Sequence, residues 1–153
     1  MLVTQSGPGS FFNVKKECFT VIHSTLRAAY GAGNVVPYSA DIPSFGSDWG
    51  FNLVTVDGVA TTQQQRQEEE KEKDDEEENN GTAVDVDDAL RRMLEIPAKE
   101  IDRRIAKRIK GGSLKFLDGI AWRGLFGLPK SIREACRTET RIMTKENPVF
   151  MFA

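Results

Sequence analysis

The sequence has few of the residues that usually mark a metal site, a disulfide framework or nucleophilic catalysis. Its 153 residues include two cysteines and a single histidine, His23. Cys18 and Cys136 both fall within helical patterns, and their spacing suits neither a zinc site nor a disulfide framework. We therefore predict two buried, reduced cysteines, a structural histidine within a helix, and no metal site.

Long apolar stretches are also missing. No run approaches the roughly 18 residues that are needed to span a bilayer. The N-terminus lacks a basic start followed by an apolar core, which is the pattern of a secretory signal. These absences, together with the reduced cysteines, predict a cytoplasmic protein that does not bind membranes.

Charge is unevenly distributed along the chain. Between Arg66 and Asp88, 12 acidic residues outnumber 3 basic ones, a net charge of −9. The rest of the chain carries +7, most of it between Arg91 and Arg141, and the total is −2. Such a split is expected where a basic face binds nucleic acid, or where an acidic tract folds back over a basic face.

The patterning of residues 1–56 predicts strands around one helix. We expect a buried parallel strand at Leu2–Gln5 and a helix from about Asn13 to Tyr30 that Gly31 ends as a left-handed cap. Strands at Val35–Ile42 and Trp49–Val56 are joined by so short a loop that they must be antiparallel. The apolar stripe of the predicted helix comprises Val14, Cys18, Phe19, Ile22, Leu26 and Ala29.

The second half divides into two parts. Residues 57–94 form an acidic, low-complexity insertion, which we predict to be largely disordered because it has too few apolar residues to offset the entropy of ordering. Residues 95–153 are predicted as a helical extension of the first part. One helix follows Ile96, with Pro97 at its first position, and another begins at Pro129. A glycine-containing loop over residues 119–127 separates them.

The segment from Tyr38 to Phe51 mixes acids with aromatic residues. Asp41 and Asp48 lie beside Tyr38, Phe45 and Trp49 in the sequence. Carboxylates set among aromatic rings could form a pocket wall for an organic cation. The alternative is an ordinary β-hairpin with a polar loop.

This segment resembles the substrate loop of the polyamine aminopropyltransferases, the spermidine and spermine synthases. Pro43-Ser44-Phe45, three further residues, then Trp49-Gly50-Phe51 is most similar to the thermospermine-synthase type of plants. Residues 2–8 resemble the strand and turn that come one helix earlier in that family. Further likeness in the second half lies at residues 101–105, 108–111, 117–119, 131–133 and 139–141.

The resemblance implies an α/β fold, the C-terminal part of a Rossmann-like, methyltransferase-type sheet that ends in an antiparallel strand pair and C-terminal helices. It implies aminopropyl transfer from decarboxylated S-adenosylmethionine, a co-substrate and not a tightly bound cofactor, to a polyamine of the putrescine or spermidine class. A homo-oligomer is implied for the full-length family. Asp41 is added to the implied acceptor pocket on the basis of its charge. The predicted pocket residues are Gln5, Tyr38, Asp41, Pro43, Ser44, Phe45 and Trp49.

The sequence departs from the family in what it lacks. No glycine-rich turn between a strand and a helix is found for the donor, because Gly31-Ala32-Gly33 follows a helix. The family's catalytic aspartates are not found either, so we assign no catalytic residue and expect the chain to supply only part of the acceptor pocket. It could instead be an inactive relative that pairs with full-length partners.

A third possibility is a nucleic-acid-binding module built on a basic helix. The pattern has no interleaved aromatic residues and one face is isoleucine, which favours a solvated basic face over phosphate contacts. The basic residues concerned are Arg103, Arg104, Lys107, Arg108 and Lys110.

Overall fold

The computed structural model describes residues 1–9, 18–55, 85–109 and 114–149. These residues form an α/β arrangement of one small sheet and five α-helices. In chain order the elements are β1 (Leu2–Pro8), α1 (Cys18–Tyr30), β2 (Val35–Ile42), β3 (Ser47–Val54), α2 (Val86–Leu94), α3 (Ala98–Arg108), α4 (Gly119–Leu125) and α5 (Lys130–Thr138).

The sheet has the order β1–β3–β2, and both outer strands run antiparallel to β3. The antiparallel pair of β2 and β3 is therefore confirmed, although β3 starts two residues earlier than predicted. The prediction for the first strand was wrong in two respects. It is antiparallel to its described neighbour, and Leu2 and Val3 are 42% and 47% exposed because β1 lies at the edge of the described sheet. An apolar run alone cannot distinguish an edge strand from a central one.

Helix α1 buries more polar residues than its apolar stripe predicts. Cys18 and Phe19 are buried as expected, but so are Thr20 and His23, whereas Ala29 is exposed. The polar residues have partners on neighbouring elements. The Thr20 hydroxyl donates to Glu139, 3.0 Å away beyond the end of α5, and the His23 ring pairs with a side chain of β3. Val14 and the predicted start of the helix lie outside the described residues.

Gly31 ends α1 with a positive φ of 84°, as a glycine allows, and its amide donates to the carbonyl of Arg27. Its ψ of 142° lies outside the left-handed helical region, so the predicted left-handed cap was wrong in that detail.

Helix α2 lies within the segment that was predicted to be largely disordered. Val86, Ala89 and Leu90 are spaced three and four residues apart, and all three are buried in the main core beside Phe126 and Ile132. This spacing places them on one helical face, which provides the apolar burial that the acidic tract lacks. The low-complexity part at residues 61–80 lies outside the described residues.

The C-terminal region is more helical than predicted. Segment 119–127 contains α4 where a loop was expected, because the Asp118 carboxylate accepts hydrogen bonds from the amides of Ile120 and Ala121 at 3.0 and 2.7 Å. This N-cap satisfies two otherwise unpaired donors of a short helix. Pro97 and Pro129 each stand one position before a helix, so Pro97 is not the first helical residue.

The two cysteines are buried thiols that are not joined to each other. Burial raises the pKa of the Cys136 thiol to about 12, which keeps it protonated and unreactive. None of the helices in the described part of the chain combines the length and the apolar character needed to cross a bilayer.

Candidate functional site

Gln5, Phe51 and Tyr38 form one row across the three strands. Gln5 of β1 and Tyr38 of β2 are both register partners of Phe51 in the central strand β3. Residues in such a row project from the same face of a sheet. Two predicted pocket residues from distant parts of the sequence therefore share a face, with the Phe51 ring between them.

The aromatic surface continues from Tyr38 onto the C-terminal helices. Tyr38 stacks on Phe51 with ring centroids 5.2 Å apart and planes inclined by 16°. On its other side it contacts Phe126 at 5.5 Å, and Phe126 contacts Trp122 at 5.0 Å. Burial raises the pKa of the Tyr38 phenol, so the hydroxyl stays neutral at physiological pH. Trp122 and Phe126 both lie in segment 119–127, which was predicted to be a loop, and their spacing of four residues was a helical signal.

The hairpin loop places Phe45 over Trp49. Pro43–Phe45 form a single 3₁₀ turn that Gly46 closes in the left-handed conformation, with φ 67° and ψ 17°. The Phe45 ring is half exposed and lies 4.4 Å from the Trp49 ring, which is only 9% exposed. Pro43 and Ser44 are exposed at the outside of the turn. The loop therefore presents Phe45 to solvent and shields Trp49.

The two acids do not join the aromatic residues on this face. Asp41 and Asp48 are direct register partners across the hairpin and are both exposed. Their row alternates with those of Tyr38 and Trp49, so the acids project from the opposite face. The predicted wall in which acids and aromatic rings form one surface is wrong for this reason. No described basic side chain pairs with either carboxylate, so the two like charges lie opposite each other on exposed strands.

Two glycine-containing segments bear on the donor substrate that the resemblance implies. At the end of β1, a Cβ on Gly9 would lie 3.1 Å from the backbone nitrogen of Gly50, so this glycine is packed against β3. Gly31-Ala32-Gly33 follows α1, as predicted. Within the described part of the chain, no three His, Cys, Asp or Glu side chains cluster as metal ligands would.

The basic helix α3 is partly neutralised by its own acid. Glu100 accepts hydrogen bonds from Arg103 and Arg104, each with a shortest distance of 2.7 Å. Hydrogen bonds from Arg103 and then Arg104 hold the pKa of Glu100 at about 2, so the carboxylate stays charged. Two of the five cations on which the nucleic-acid alternative depends are thus engaged within the helix. Lys110 lies outside the described residues.

A recess of about 360 Å³ adjoins the far end of the aromatic surface. Trp122 is part of its wall, together with Ile101 and Ile105 of α3. A second recess, of about 220 Å³, lies between α2 and α5. None of the seven predicted pocket residues lines either recess.

Comparison with known proteins finds several polyamine aminopropyltransferases that are similar to the chain. No family model matches the chain. It is 31% identical over 148 residues to the polyamine aminopropyltransferase of Sulfolobus acidocaldarius, which is 97% of this chain and 36% of that protein. The polyamine aminopropyltransferase of Synechococcus sp. is 28% identical over 146 residues, 95% of this chain and again 36% of the relative.

One similarity covers fewer residues but has a higher identity. Over 55 residues, 36% of this chain, the sequence is 47% identical to the polyamine aminopropyltransferase of Sulfurisphaera tokodaii. The three similarities support the family that the sequence predicted. The chain spans 36% of the length of each of the two relatives that it matches over most of its residues.

Proposed function

We propose that the chain contributes the polyamine-acceptor surface of an aminopropyltransferase of the thermospermine-synthase type. In this proposal it corresponds to the C-terminal part of a Rossmann-like catalytic domain. The similarity to polyamine aminopropyltransferases over 97% of the chain supports the family, and the succession of β1, α1 and an antiparallel strand pair supports the placement.

The observation that carries the proposal is the shared face of Gln5, Tyr38 and Phe51, with Trp49 and Phe45 next to it. A polyamine alternates ammonium groups with short methylene segments. Aromatic rings attract ammonium groups through their faces and pack against methylene groups. The neutral Tyr38 hydroxyl and the Gln5 amide oxygen can accept hydrogen bonds from ammonium N–H groups.

The proposed reaction joins the acceptor amine to an aminopropyl group. The nitrogen lone pair forms a bond to the methylene carbon beside the sulfonium, the carbon–sulfur bond breaks, and methylthioadenosine leaves with the electron pair. The amine must first lose a proton to a base, since an ammonium group is no nucleophile. Asp41 is the only carboxylate among the predicted residues, and it lies on the opposite face, so we assign no base to this chain.

Phe45 gives the most direct test, because it is exposed and its removal leaves the core intact. We expect Phe45→Ala to weaken binding of spermidine to the 153-residue chain about two- to fivefold, the equivalent of about 0.5–1 kcal/mol for an exposed cation–π contact. Calorimetric titration at about 0.15 M salt would limit non-specific attraction.

Phe116→Ala is the matched control, since Phe116 is also an exposed phenylalanine but lies between α3 and α4. It should leave affinity unchanged. Absence of saturable spermidine binding by the unmodified chain, or equal losses in the two variants, would refute the proposed function.

A further inference from the structure

Strand β1 contains a bulge directly after Gln5. Gln5 pairs with Phe51, but the next paired residue, Pro8, stands opposite Trp49. Ser6 and Gly7 therefore share the single position opposite Gly50, and Gly7 has a φ of 93° that favours glycine.

The bulge decides which way Gln5 points. Without it, and with Pro8 still opposite Trp49, Ser6 would pair with Phe51. Gln5 would then move one place along β3 and project from the other face, because a slip of one residue inverts every side chain of a strand. Only the observed register places Gln5 on the face of Tyr38 and Phe51.

A buried chain of three polar side chains holds the observed register. The Asn52 amide nitrogen donates to the Ser6 hydroxyl at 2.9 Å, and its oxygen lies 2.8 Å from Nδ1 of His23. The Ser6 hydroxyl donates in turn to the carbonyl of Thr4 at 3.2 Å. All three side chains are at most 1% exposed. The chain joins α1, β3 and β1.

The direction of these hydrogen bonds determines which ring nitrogen of His23 carries the proton. The Asn52 amide nitrogen donates to Ser6, so the Asn52 amide oxygen faces His23. Because an amide oxygen can only accept a hydrogen bond, Nδ1 of His23 must carry the proton and donate it. Burial lowers the pKa of His23 to about 4, so the ring is neutral at physiological pH and Nδ1–H is its one donor. Nε2 has no hydrogen-bond partner among the described residues.

A buried polar network stabilises a core less than apolar side chains of similar size would. A fully buried polar group contributes little net stability when paired and is strongly unfavourable when its partner is lost. The network instead favours one register of β1, because only a hydroxyl at the Ser6 position accepts the hydrogen bond of the Asn52 amide nitrogen. Slipping β1 into the alternative register would carry this hydroxyl to the other face and leave the Asn52 amide nitrogen without its acceptor, while the hydrogen bond between Asn52 and His23 would remain.

We propose that His23 and Asn52 are positioning residues that select the bulged register of β1 through Ser6 and thereby orient Gln5 on the acceptor surface. The effect on Gln5 rests on the proposed function, because the ligand is the polyamine proposed there. The register of β1 can be measured without any ligand.

The test removes the Ser6 hydroxyl and follows two readouts. In Ser6→Ala we expect amide hydrogen exchange at Gly7 and Gly9 to accelerate about tenfold. Spermidine affinity should fall about tenfold, the scale of one lost hydrogen bond. In a Gln5→Ala background, the same Ser6→Ala change should cost no further affinity, because a positioning residue acts only through the residue that it positions.

Thr25→Val is the matched control for stability. The Thr25 hydroxyl lies on α1, donates to Val21 and accepts from Met143, and neither of these partners belongs to β1. This variant should lose stability and keep its spermidine affinity.

Two results would overturn the inference: unchanged exchange at Gly7 and Gly9 in Ser6→Ala, or an affinity loss that persists undiminished in the Gln5→Ala background. If the unmodified chain binds no spermidine, the proposed function fails, and the exchange measurement alone decides whether the network fixes the bulge.

Discussion

Trp49→Ala is expected to lower the free energy of unfolding by about 3–5 kcal/mol, the usual cost of deleting a buried large aromatic side chain. The ring is 9% exposed, it is covered by Phe45, and its strand neighbours are Pro8 and Ala40. Urea unfolding followed by circular dichroism measures the loss.

Phe45→Ala provides the comparison. It removes the ring that covers Trp49 but leaves the core in place, so its stability loss should stay below about 1 kcal/mol. A loss of less than about 1 kcal/mol in Trp49→Ala as well would mean that Trp49 does not hold the hairpin. The placement of the ring predicts a structural role first, with any contact to a polyamine made at the edge that Phe45 leaves open.

Gly119→Ala should destabilise the protein by about 3 kcal/mol, at the upper end of the cost of overpacking. A Cβ at this position would overlap the carbonyl group of Ala98. These are backbone atoms, so no change of rotamer relieves the contact. The amide of Gly119 also donates to the Asp102 carboxylate at 2.7 Å, which ties the start of α4 to α3.

Gly124→Ala in the same helix should have the opposite effect. Nothing lies within 4 Å of a Cβ placed there, and alanine loses less conformational entropy than glycine in a helix. We expect a gain of about 0.5 kcal/mol. Thermal unfolding of the two variants beside the unmodified chain tests both the expected loss and the expected gain of stability. Equal effects at the two positions would show that the close approach of α3 and α4 does not restrict Gly119.

The hairpin was predictable because its signals are local. The turn residues Pro43 and Gly46 and the alternating flanking segments lie within a few positions of one another. The separation of acids and aromatic residues was also present in the sequence. Asp48 and Trp49 are adjacent, and adjacent strand residues face opposite ways, so proximity in the sequence suggested the wrong neighbours.

Other features depended on distant partners. The edge position of β1 and its bulge are set by β3, more than forty residues later, and no local pattern records them. The polar side of α1 is buried only because Asn52 and Glu139 meet it. Helix α4, in contrast, could have been predicted from local residues. Asp118 is a local N-cap signal, but the neighbouring glycines suggested a loop.

The order β1–β3–β2 also has a consequence for how the chain acquires its structure. The central strand is the last of the three to be synthesised, so β1 has no partner in the described sheet until Trp49 has been added, and its register is complete only with Val54. The hairpin closes over a few residues, whereas β1 must close a loop of about forty, which costs more entropy and is slower. Pulse-labelled amide exchange should therefore show protection in β2 and β3 before β1. Until β1 docks, the edge of β3 that it covers stays unpaired and open to other chains, which makes the interval before docking the period of greatest aggregation risk.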